Sequence, residues 1–291
     1  HLHGASLDEE GVLLLWSILQ VRDDDDACQA IQGRLKLLLS SSVTTTKGPS
    51  AGLDWTLPRT TALGIRPDDA NLLLIARDDG EVLHRARHGR APRPARFRHS
   101  APSALAPLGD ASGQAGGPAL GAVSSMAVCG GVGAGALLLV ARRDASLSLY
   151  TSDNGAALVS WDFKDFKEGG APLSRVAWSA SHPAVFAALD TSGTIHWFHL
   201  NRDFEKPILS LPLALPPPSD ASGSAGASSE IAGVTSLDMA SPAHGSIKNA
   251  RTLLVLGFSS GRIEMHVVAN RFTDPEAGDA QKLAEKLAPL A

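Results

Sequence analysis

The amino-acid sequence predicts an all-β protein assembled from repeated antiparallel hairpins. The clearest unit is 173–200, where three short strand-forming runs are separated by two turns. Pro183 ends the first run because proline lacks a backbone donor and disfavours helical conformations at His182. Asp190 and Gly193 bound the second turn, and the residues after it alternate with the period of two that is expected of a strand. The unit therefore contains three antiparallel strands.

This unit recurs along the chain. An apolar run, a four-residue turn and an alternating strand are found five times, and four of the five turns end in glycine. Ala145 takes the place of glycine in the third copy. The side chains two and four residues after the turn are apolar except at His84. The five turns end at Gly11, Gly80, Ala145, Gly193 and Gly261.

Recurring antiparallel units are typical of β-propellers, whose blades need about 40–45 residues each. We therefore expect a WD-repeat β-propeller, seven-bladed when complete, of which this chain supplies about four and a half blades. Because His1 stands inside a blade, near its third strand, we expect a preceding N-terminal region to supply the other blades. Residues 1–270 form the partial propeller. Its predicted blade segments are 1–21, 53–100, 122–165, 171–211 and 231–270.

The turns lie further apart than one blade requires, so the excess residues must lie in insertions. Three segments are rich in Ser, Gly, Ala and Pro or in acidic residues, and they carry too little apolar surface to fold alone. We expect them to be loops. They are 22–50, 101–121 and 212–229.

The C-terminal segment 274–291 has the pattern of a short amphipathic helix. Asp274 and Pro275 follow the order of a helix cap and a first helical position, and Leu283 and Leu287 have helical spacing. We expect this helix to dock on the propeller.

Several positions are assigned to the repeat framework rather than to binding. Trp16 stands where WD repeats carry their tryptophan, five residues after the turn glycine, whereas Arg85 and His266 depart from that pattern. His182, His196 and His199 are interpreted as structural. The framework positions are Gly11, Trp16, Gly80, Tyr150, Trp178, Pro183, Gly193, Trp197 and Gly261.

The composition argues against several classes of partner. A net charge of −4 and a pI near 6.2 provide no field that would attract nucleic acid or a membrane surface. The apolar runs are far shorter than the roughly 18 residues of a membrane span. Cys28 and Cys129 are the only cysteines, too few for a disulfide framework or a zinc site. We expect no membrane insertion, no metal and a reducing compartment.

One segment is strongly basic. Because Pro92 and Pro94 exclude a helix, its charges are expected on an extended connection between blades. The segment is either a solvated loop or a patch for an acidic protein surface. Nucleic acid is disfavoured because Phe97 is the only aromatic residue there that could stack on a base. The candidate partner-binding residues are Arg85, Arg87, Arg90, Arg93, Arg96 and Arg98.

Two short motifs match the sequence patterns of enzyme sites, but the helix that each of those sites requires is not predicted after them. The run 131–136 matches a dinucleotide-binding fingerprint, but a short apolar run follows it instead of the required helix. The run 257–261 matches the nucleophile elbow of serine hydrolases, with Ser259 as nucleophile, but a strand-like pattern follows it. We expect no catalytic residues and no cofactor, and a hydrolase using Ser259 is the alternative from a different class.

The unit that begins at Val176 resembles a blade of the dynein intermediate chains. Their repeats favour Trp-Ser, then Pro, then Phe-Ala, as at Trp178-Ser179, Pro183 and Phe186-Ala187. The segment 5–12, with Trp16 and then 33–37, resembles the WD-repeat intermediate chains of cytoplasmic dynein 2, the retrograde motor of intraflagellar transport. The similarity runs in order over nearly the whole chain.

The resemblance implies a non-catalytic scaffold in the cytoplasm, cytoskeleton and cilium or flagellum with its basal body. It implies a propeller that binds the dynein heavy chain, and an N-terminal region that binds light chains and the second intermediate chain. Another WD-repeat adaptor, such as a coat or ubiquitin-ligase receptor, is the alternative within the binding modules.

Overall fold

The five recurring units form five antiparallel sheets that are arranged as the blades of a β-propeller. The structure is a computed structural model, which describes residues 2–20, 35–44, 58–90, 92–97, 121–132, 135–166, 171–213, 233–240 and 252–290. Counted over the described residues, three of the blades have four strands and two have three. The prediction of a propeller is confirmed.

The first two blades contain seven strands. Blade 1 comprises β1 (Leu2–Leu7), β2 (Val12–Gln20) and β3 (Leu35–Thr44). Blade 2 comprises β4 (Thr60–Ile65), β5 (Leu72–Arg77), β6 (Val82–Ala86) and β7 (Arg96–Phe97).

The other three blades contain eleven strands, and one short helix follows them. Blade 3 comprises β8 (Val123–Val132), β9 (Gly135–Arg142), β10 (Ser146–Thr151) and β11 (Val159–Asp162). Blade 4 comprises β12 (Leu173–Trp178), β13 (Val185–Asp190), β14 (Thr194–His199) and β15 (Leu209–Pro212). Blade 5 comprises β16 (Val234–Ala240), β17 (Leu253–Phe258) and β18 (Ile263–Val267), and it is followed by α1 (Asp279–Leu287).

The recurring turn joins the second and third strands of each four-stranded blade, and it ends in glycine in blades 2 and 4 and in Ala145 in blade 3. Gly193 has φ 84° there, and even Ala145 is forced to φ 70°. An aspartate helps to close the turn, since Asp190 Oδ1 accepts a hydrogen bond of 2.8 Å from the backbone N–H of Thr194. The turn therefore depends on one left-handed residue and one side-chain acceptor.

The apolar core consists of clusters that each join neighbouring blades. Trp161 of blade 3 packs against Phe186 and Phe198 of blade 4, whose rings stack with centroids 4.7 Å apart. Leu283 and Leu287 of α1 are buried in the same cluster. The blades are therefore held together by their faces, as in sheet-on-sheet packing.

Two expectations about element boundaries are wrong in part. Leu35–Thr44, which lies inside the segment 22–50 that we expected to be a loop, forms strand β3 and pairs with β2 over its whole length. Pairing with a neighbouring strand supplies the backbone hydrogen bonds that the composition alone does not predict. The C-terminal helix begins at Asp279 rather than Asp274, because the chain takes a left-handed turn with φ 90° at Gly278.

The first described strand is also placed differently from our expectation. β1 precedes the glycine turn at Gly11, so it corresponds to the second strand of the four-stranded blades rather than to the third. Residues 101–120 and 214–232, within or next to the other two predicted insertions, lie outside the described residues, as do Cys28 and Arg98.

Candidate partner-binding surface

The basic segment lies inside blade 2. β7 pairs with β6, since Val82 lies opposite Phe97 and Leu83 lies opposite Arg96. The expectation that this segment connects two blades is therefore wrong. The physical reason is the burial of Phe97, which has no exposed surface and packs edge-on against Tyr150 of blade 3 at 5.6 Å. Because of this contact, β7 pairs with β6 and forms the outer strand of blade 2.

Three arginines of blade 2 lie close to each other. Arg77 forms ion pairs with Asp79 and, at 2.9 Å, with Glu81, and Arg96 reaches the same Glu81 carboxylate at 3.2 Å. Burial lowers the pKa of the Arg85 guanidinium, and the positive charges of Arg96 and Arg77 lower it further. These arginines therefore form one electrostatic group rather than three independent surface charges.

Arg85 is the member of this group that lacks a counter-ion. Its Nη1 donates to the backbone carbonyl of His84 at 3.2 Å. Among the described residues, no carboxylate lies within 4 Å of its guanidinium. The half-buried Arg85 guanidinium donates to a carbonyl and could also bind a carboxylate. A planar guanidinium can hold a carboxylate with two parallel hydrogen bonds.

The turn after β6 adds further positive charge. Its conformation is fixed by Asn71, whose Oδ1 accepts from the backbone N–H of His88 and whose backbone carbonyl accepts from that of Arg87. The Arg87 Nε is buried and has no hydrogen-bond partner in the described part of the chain. Arg90 and Arg93 are exposed. These residues and the arginine group define what we call the basic surface: Arg77, Arg85, Arg87, Arg90, Arg93 and Arg96.

The burial of Phe97 also bears on which anions this surface can bind. Binding of single-stranded nucleic acid needs exposed aromatic rings on which bases stack, and Phe97 is enclosed between blades 2 and 3. The neighbouring His84 is buried too, with its ring 5.7 Å from that of Phe97, and burial lowers its pKa. The chemistry of the basic surface therefore suits carboxylates better than bases.

The tryptophans among the framework positions make contacts within the fold. Trp178 Nε1 donates to the Pro183 carbonyl at 2.9 Å, which fixes the turn between β12 and β13. The Trp197 ring stacks on Phe272, which follows blade 5, with centroids 4.9 Å apart. Trp16 Nε1 donates to Ser6 Oγ at 2.9 Å across blade 1.

The remaining framework positions lie in turns or in the core. Tyr150 is buried, and its hydroxyl accepts a hydrogen bond of 3.0 Å from the buried Arg142. The turn glycines Gly11, Gly80, Gly193 and Gly261 all have φ between 81° and 84°.

The enzyme-like motifs do not form enzyme sites where the structure describes them. Ser259 lies in the exposed turn between β17 and β18, so a strand follows it instead of the helix of a nucleophile elbow. Gly131 lies in β8, and the strand β9 begins at Gly135. Burial raises the pKa of the Cys129 thiol to about 11, which keeps it protonated and unreactive at neutral pH.

Within the described ranges, no group of three or more His, Cys, Asp and Glu residues is arranged to hold a metal ion. No helix in those ranges is long and apolar enough to cross a membrane.

Sequence reasoning found the arginines of the loop and β7 but missed Arg77 and Glu81. Both residues flank the Gly80 turn. The sequence contains a signal for an ion pair there, because Arg77 ends an apolar strand two residues before an aspartate. The antiparallel return of β7 is what brings Arg96 to Glu81. That return depends on a contact with another blade, which a local pattern does not contain.

The blade arrangement defines a β-propeller protein, a class in which a rigid framework presents its loops to partners. The chain is similar to the cytoplasmic dynein 1 intermediate chain of Drosophila melanogaster, with 35% identity over 80 residues. Those residues make up 28% of this chain and span 11% of the length of that protein. No protein-family model matches the chain.

Proposed function

We propose that this chain is a non-catalytic intermediate-chain subunit of a dynein motor, in which the propeller acts as an assembly scaffold. The observation that carries the proposal is the combination of a bladed propeller with the partial similarity to a cytoplasmic dynein 1 intermediate chain. A framework held together by buried interblade clusters offers a preformed surface, so it loses little conformational entropy when a large partner binds.

The finer assignment is to cytoplasmic dynein 2, as the larger of its two WD-repeat intermediate chains. Its support is the segment 5–12 with Trp16, which resembles that group, together with the blade pattern at Trp178 and Pro183. The chain then serves retrograde intraflagellar transport. It works in the cytoplasm and in the cilium or flagellum, including the basal body and its cytoskeleton.

The proposed partner of the propeller is the tail of the dynein heavy chain. The basic surface of blade 2 supports an acidic contact, since Arg85 lacks a carboxylate partner in the described part of the chain and Arg90 and Arg93 are exposed. Light chains and the second intermediate chain bind through an N-terminal region outside this sequence.

Affinity purification of the tagged chain from ciliated cells tests the assignment. We expect dynein 2 heavy chain to co-purify in near-stoichiometric amount, and quantitative mass spectrometry distinguishes it from dynein 1 heavy chain. Recovery of dynein 1 heavy chain alone would contradict the finer assignment. Recovery of coat or ubiquitin-ligase subunits without any heavy chain would favour another adaptor and overturn the proposal.

A charge-reversal series tests the basic surface in the same purification. The triple variant Arg85→Gln, Arg90→Glu, Arg93→Glu should lose most of the bound heavy chain at physiological salt. The control variant Arg143→Glu, Arg271→Glu changes exposed arginines on blade 3 and after blade 5. Equal recovery by the triple variant and the parent chain would show that this surface is only solvated.

Serine labelling tests the catalytic alternative. A fluorophosphonate probe should leave the chain unlabelled, because Ser259 has no helix behind it and no described histidine in hydrogen-bond contact. Labelling that is lost in Ser259→Ala would contradict the assignment as a scaffold.

A further inference from the structure

Helix α1 occupies a site on the propeller at the junction of blades 3 and 4. It lies against β8 of blade 3, and its residues Leu283 and Leu287 are buried in the core cluster that joins the two blades. Residues 274–278, which we call the tether, lead into the helix and are exposed. Gly278 ends the tether with φ 90°. The helix is therefore bound to the propeller as a ligand at the end of a short exposed tether.

The helix depends on this site for its order. α1 has nine residues, and Gly278 before it provides no side-chain cap. Isolated helices shorter than about 12–15 residues are marginal in water. We therefore expect α1 to fold as it docks and to lose its helical order when it leaves the site.

The residues of α1 that face the propeller recur every four positions. Asp279, Leu283 and Leu287 are buried, Ala284 is partly buried, and the other residues of the helix are exposed. Residues four positions apart lie on the same side of a helix. The site therefore recognises one acidic residue followed by two leucines on a single helix face.

The site also holds a charged group near each end of the helix. The Asp279 carboxylate pairs with the buried His182 and accepts a hydrogen bond of 3.3 Å from the Asn201 amide. Lys286 Nζ donates to the backbone carbonyls of Asn201, at 2.5 Å, and of Leu200, at 3.4 Å. An occupant that matches α1 therefore carries a carboxylate at its start and a cation seven residues later.

Two buried polar atoms of the site are not satisfied by α1. His199 is 4% exposed, and its ring lies 4.9 Å from that of His182. The Nδ1 of His199 and the Oδ1 of Asn201 have no hydrogen-bond partner among the described residues. Because an unpaired buried polar group is costly, a helix that also bonds these atoms would bind more tightly than α1 does.

We propose that this site binds an amphipathic helix of a partner protein, which displaces α1. The partner helix has the pattern of Asp279, Leu283, Lys286 and Leu287: an acidic residue, leucines four and eight positions later, and Lys or Arg at the seventh position. It docks by its apolar face, as helices do in hydrophobic grooves. In the free chain α1 occupies the site and blocks it.

This proposal goes beyond the assignment as a dynein subunit and does not depend on it. The site is formed by blades 3 and 4, each of which has four described strands, whereas the basic surface is on blade 2. Failure of one proposal therefore leaves the other standing.

A fluorescent peptide of residues 274–290 tests recognition of a helix that is not tethered. Its binding is measured by fluorescence anisotropy to the full chain with Leu283→Glu and Leu287→Glu, in which the added charges expel α1 from the apolar cluster. We expect saturable binding to this double variant. Binding to the parent chain should be at least about tenfold weaker, because its own helix competes at a high effective concentration. Equal binding to both chains, or to neither, would overturn the proposal.

Matched peptides test the pattern that the site recognises. The Asp279→Ala peptide leaves His182 without its carboxylate, and the Leu283→Ala peptide leaves a cavity, so each should bind the double variant at least about tenfold more weakly. The Glu285→Ala peptide is changed on the exposed side of the helix and should bind as the original peptide does. Equal affinities of all four peptides would contradict recognition of the buried face.

Displacement in the parent chain keeps the test decisive if the double variant does not fold. A large excess of the peptide should speed hydrogen exchange of the α1 amides, measured by mass spectrometry, whereas the Leu283→Ala peptide should not. Unchanged exchange with the original peptide would contradict displacement.

Analytical ultracentrifugation checks whether a second copy of the chain is the occupant. We expect the parent chain to be monomeric. Self-association that is lost in the double variant would show that two copies exchange their C-terminal helices, and it would overturn the assignment to a partner helix.

Discussion

The imidazole of His182, in the turn between β12 and β13, lies with its Nε2 3.2 Å from the Oδ2 of Asp279, the first residue of α1. Both side chains are buried. The His182 Nδ1 accepts a hydrogen bond from the backbone N–H of Ala184 at 3.2 Å, so the ring proton sits on Nε2 and is donated to the carboxylate. The neutral histidine therefore fastens the C-terminal helix to blade 4.

Replacement of the carboxylate should loosen the helix. Asp279 also accepts from the backbone N–H of Glu276 at 2.8 Å and from the Asn201 amide at 3.3 Å. Asp279→Ala leaves several buried donors unpaired, and we expect it to lower the free energy of unfolding in urea by about 3 kcal/mol. Glu285→Ala, on the exposed side of α1, should change it by less than about 0.5 kcal/mol. Similar values for both variants would contradict the role of Asp279.

The two buried histidines should make stability depend on pH. Burial lowers the pKa of His182, and it lowers the pKa of His199 from 6.5 to about 4, where repulsion from Arg202, and from His182 once that ring is protonated, adds to the effect. Since the unfolded chain binds these protons more readily, stability is full above about pH 6.5 and is lost as the pH falls toward 4. We expect the unfolding temperature to fall across this window and to fall less in His199→Leu. An equal slope in the parent chain and the variant would contradict this origin.

The buried leucines of α1 should contribute to the free energy of unfolding in addition to the hydrogen bonds at the start of the helix. Leu283 has no exposed surface and packs between blades 3 and 4, whereas Leu290 is 45% exposed. Leu283→Ala should cost about 2–5 kcal/mol of unfolding free energy, because it removes contacts and leaves a cavity. Leu290→Ala should cost less than about 0.5 kcal/mol. Hydrogen exchange of the α1 amides would show whether the loss is confined to the helix.

The turn positions permit a test of backbone strain. Gly193 has φ 84° and open space around an added Cβ, so Gly193→Ala should destabilise the chain by about 1–2 kcal/mol through conformation alone. Ala145 already occupies this conformation with φ 70°. In Ala145→Gly, the relief of backbone strain should offset the loss of a buried methyl group, so the free energy of unfolding should change little. The control Ala141→Gly in β9 has no such strain to relieve and should lower the free energy of unfolding by about 1 kcal/mol. Equal costs for Ala145→Gly and Ala141→Gly would contradict the strain at Ala145.

Local chemistry made much of the fold predictable. The strand before each turn, the turn itself and the alternating strand after it depend on residues within a dozen positions, as at Asp190, Gly193 and Trp197. Such signals lie in the sequence because strand periodicity and left-handed turns are properties of short segments. The predicted helix start at Asp274 differs from the observed start at Asp279, because the left-handed Gly278 interrupts the cap pattern that begins at Asp274.

The composition of the candidate surface was predictable, but its geometry was not. The dense set of arginines in blade 2, and the prolines that exclude a helix there, can be read from the residues alone. The burial of Phe97 against Tyr150, the pairing of β7 with β6, and the position of Arg85 beside Arg96 with no described carboxylate of its own follow from the packing of the blades. The physical reason is that strand periodicity acts over a few residues, whereas the burial of a ring and the balance of charges depend on residues that the fold brings together from distant positions.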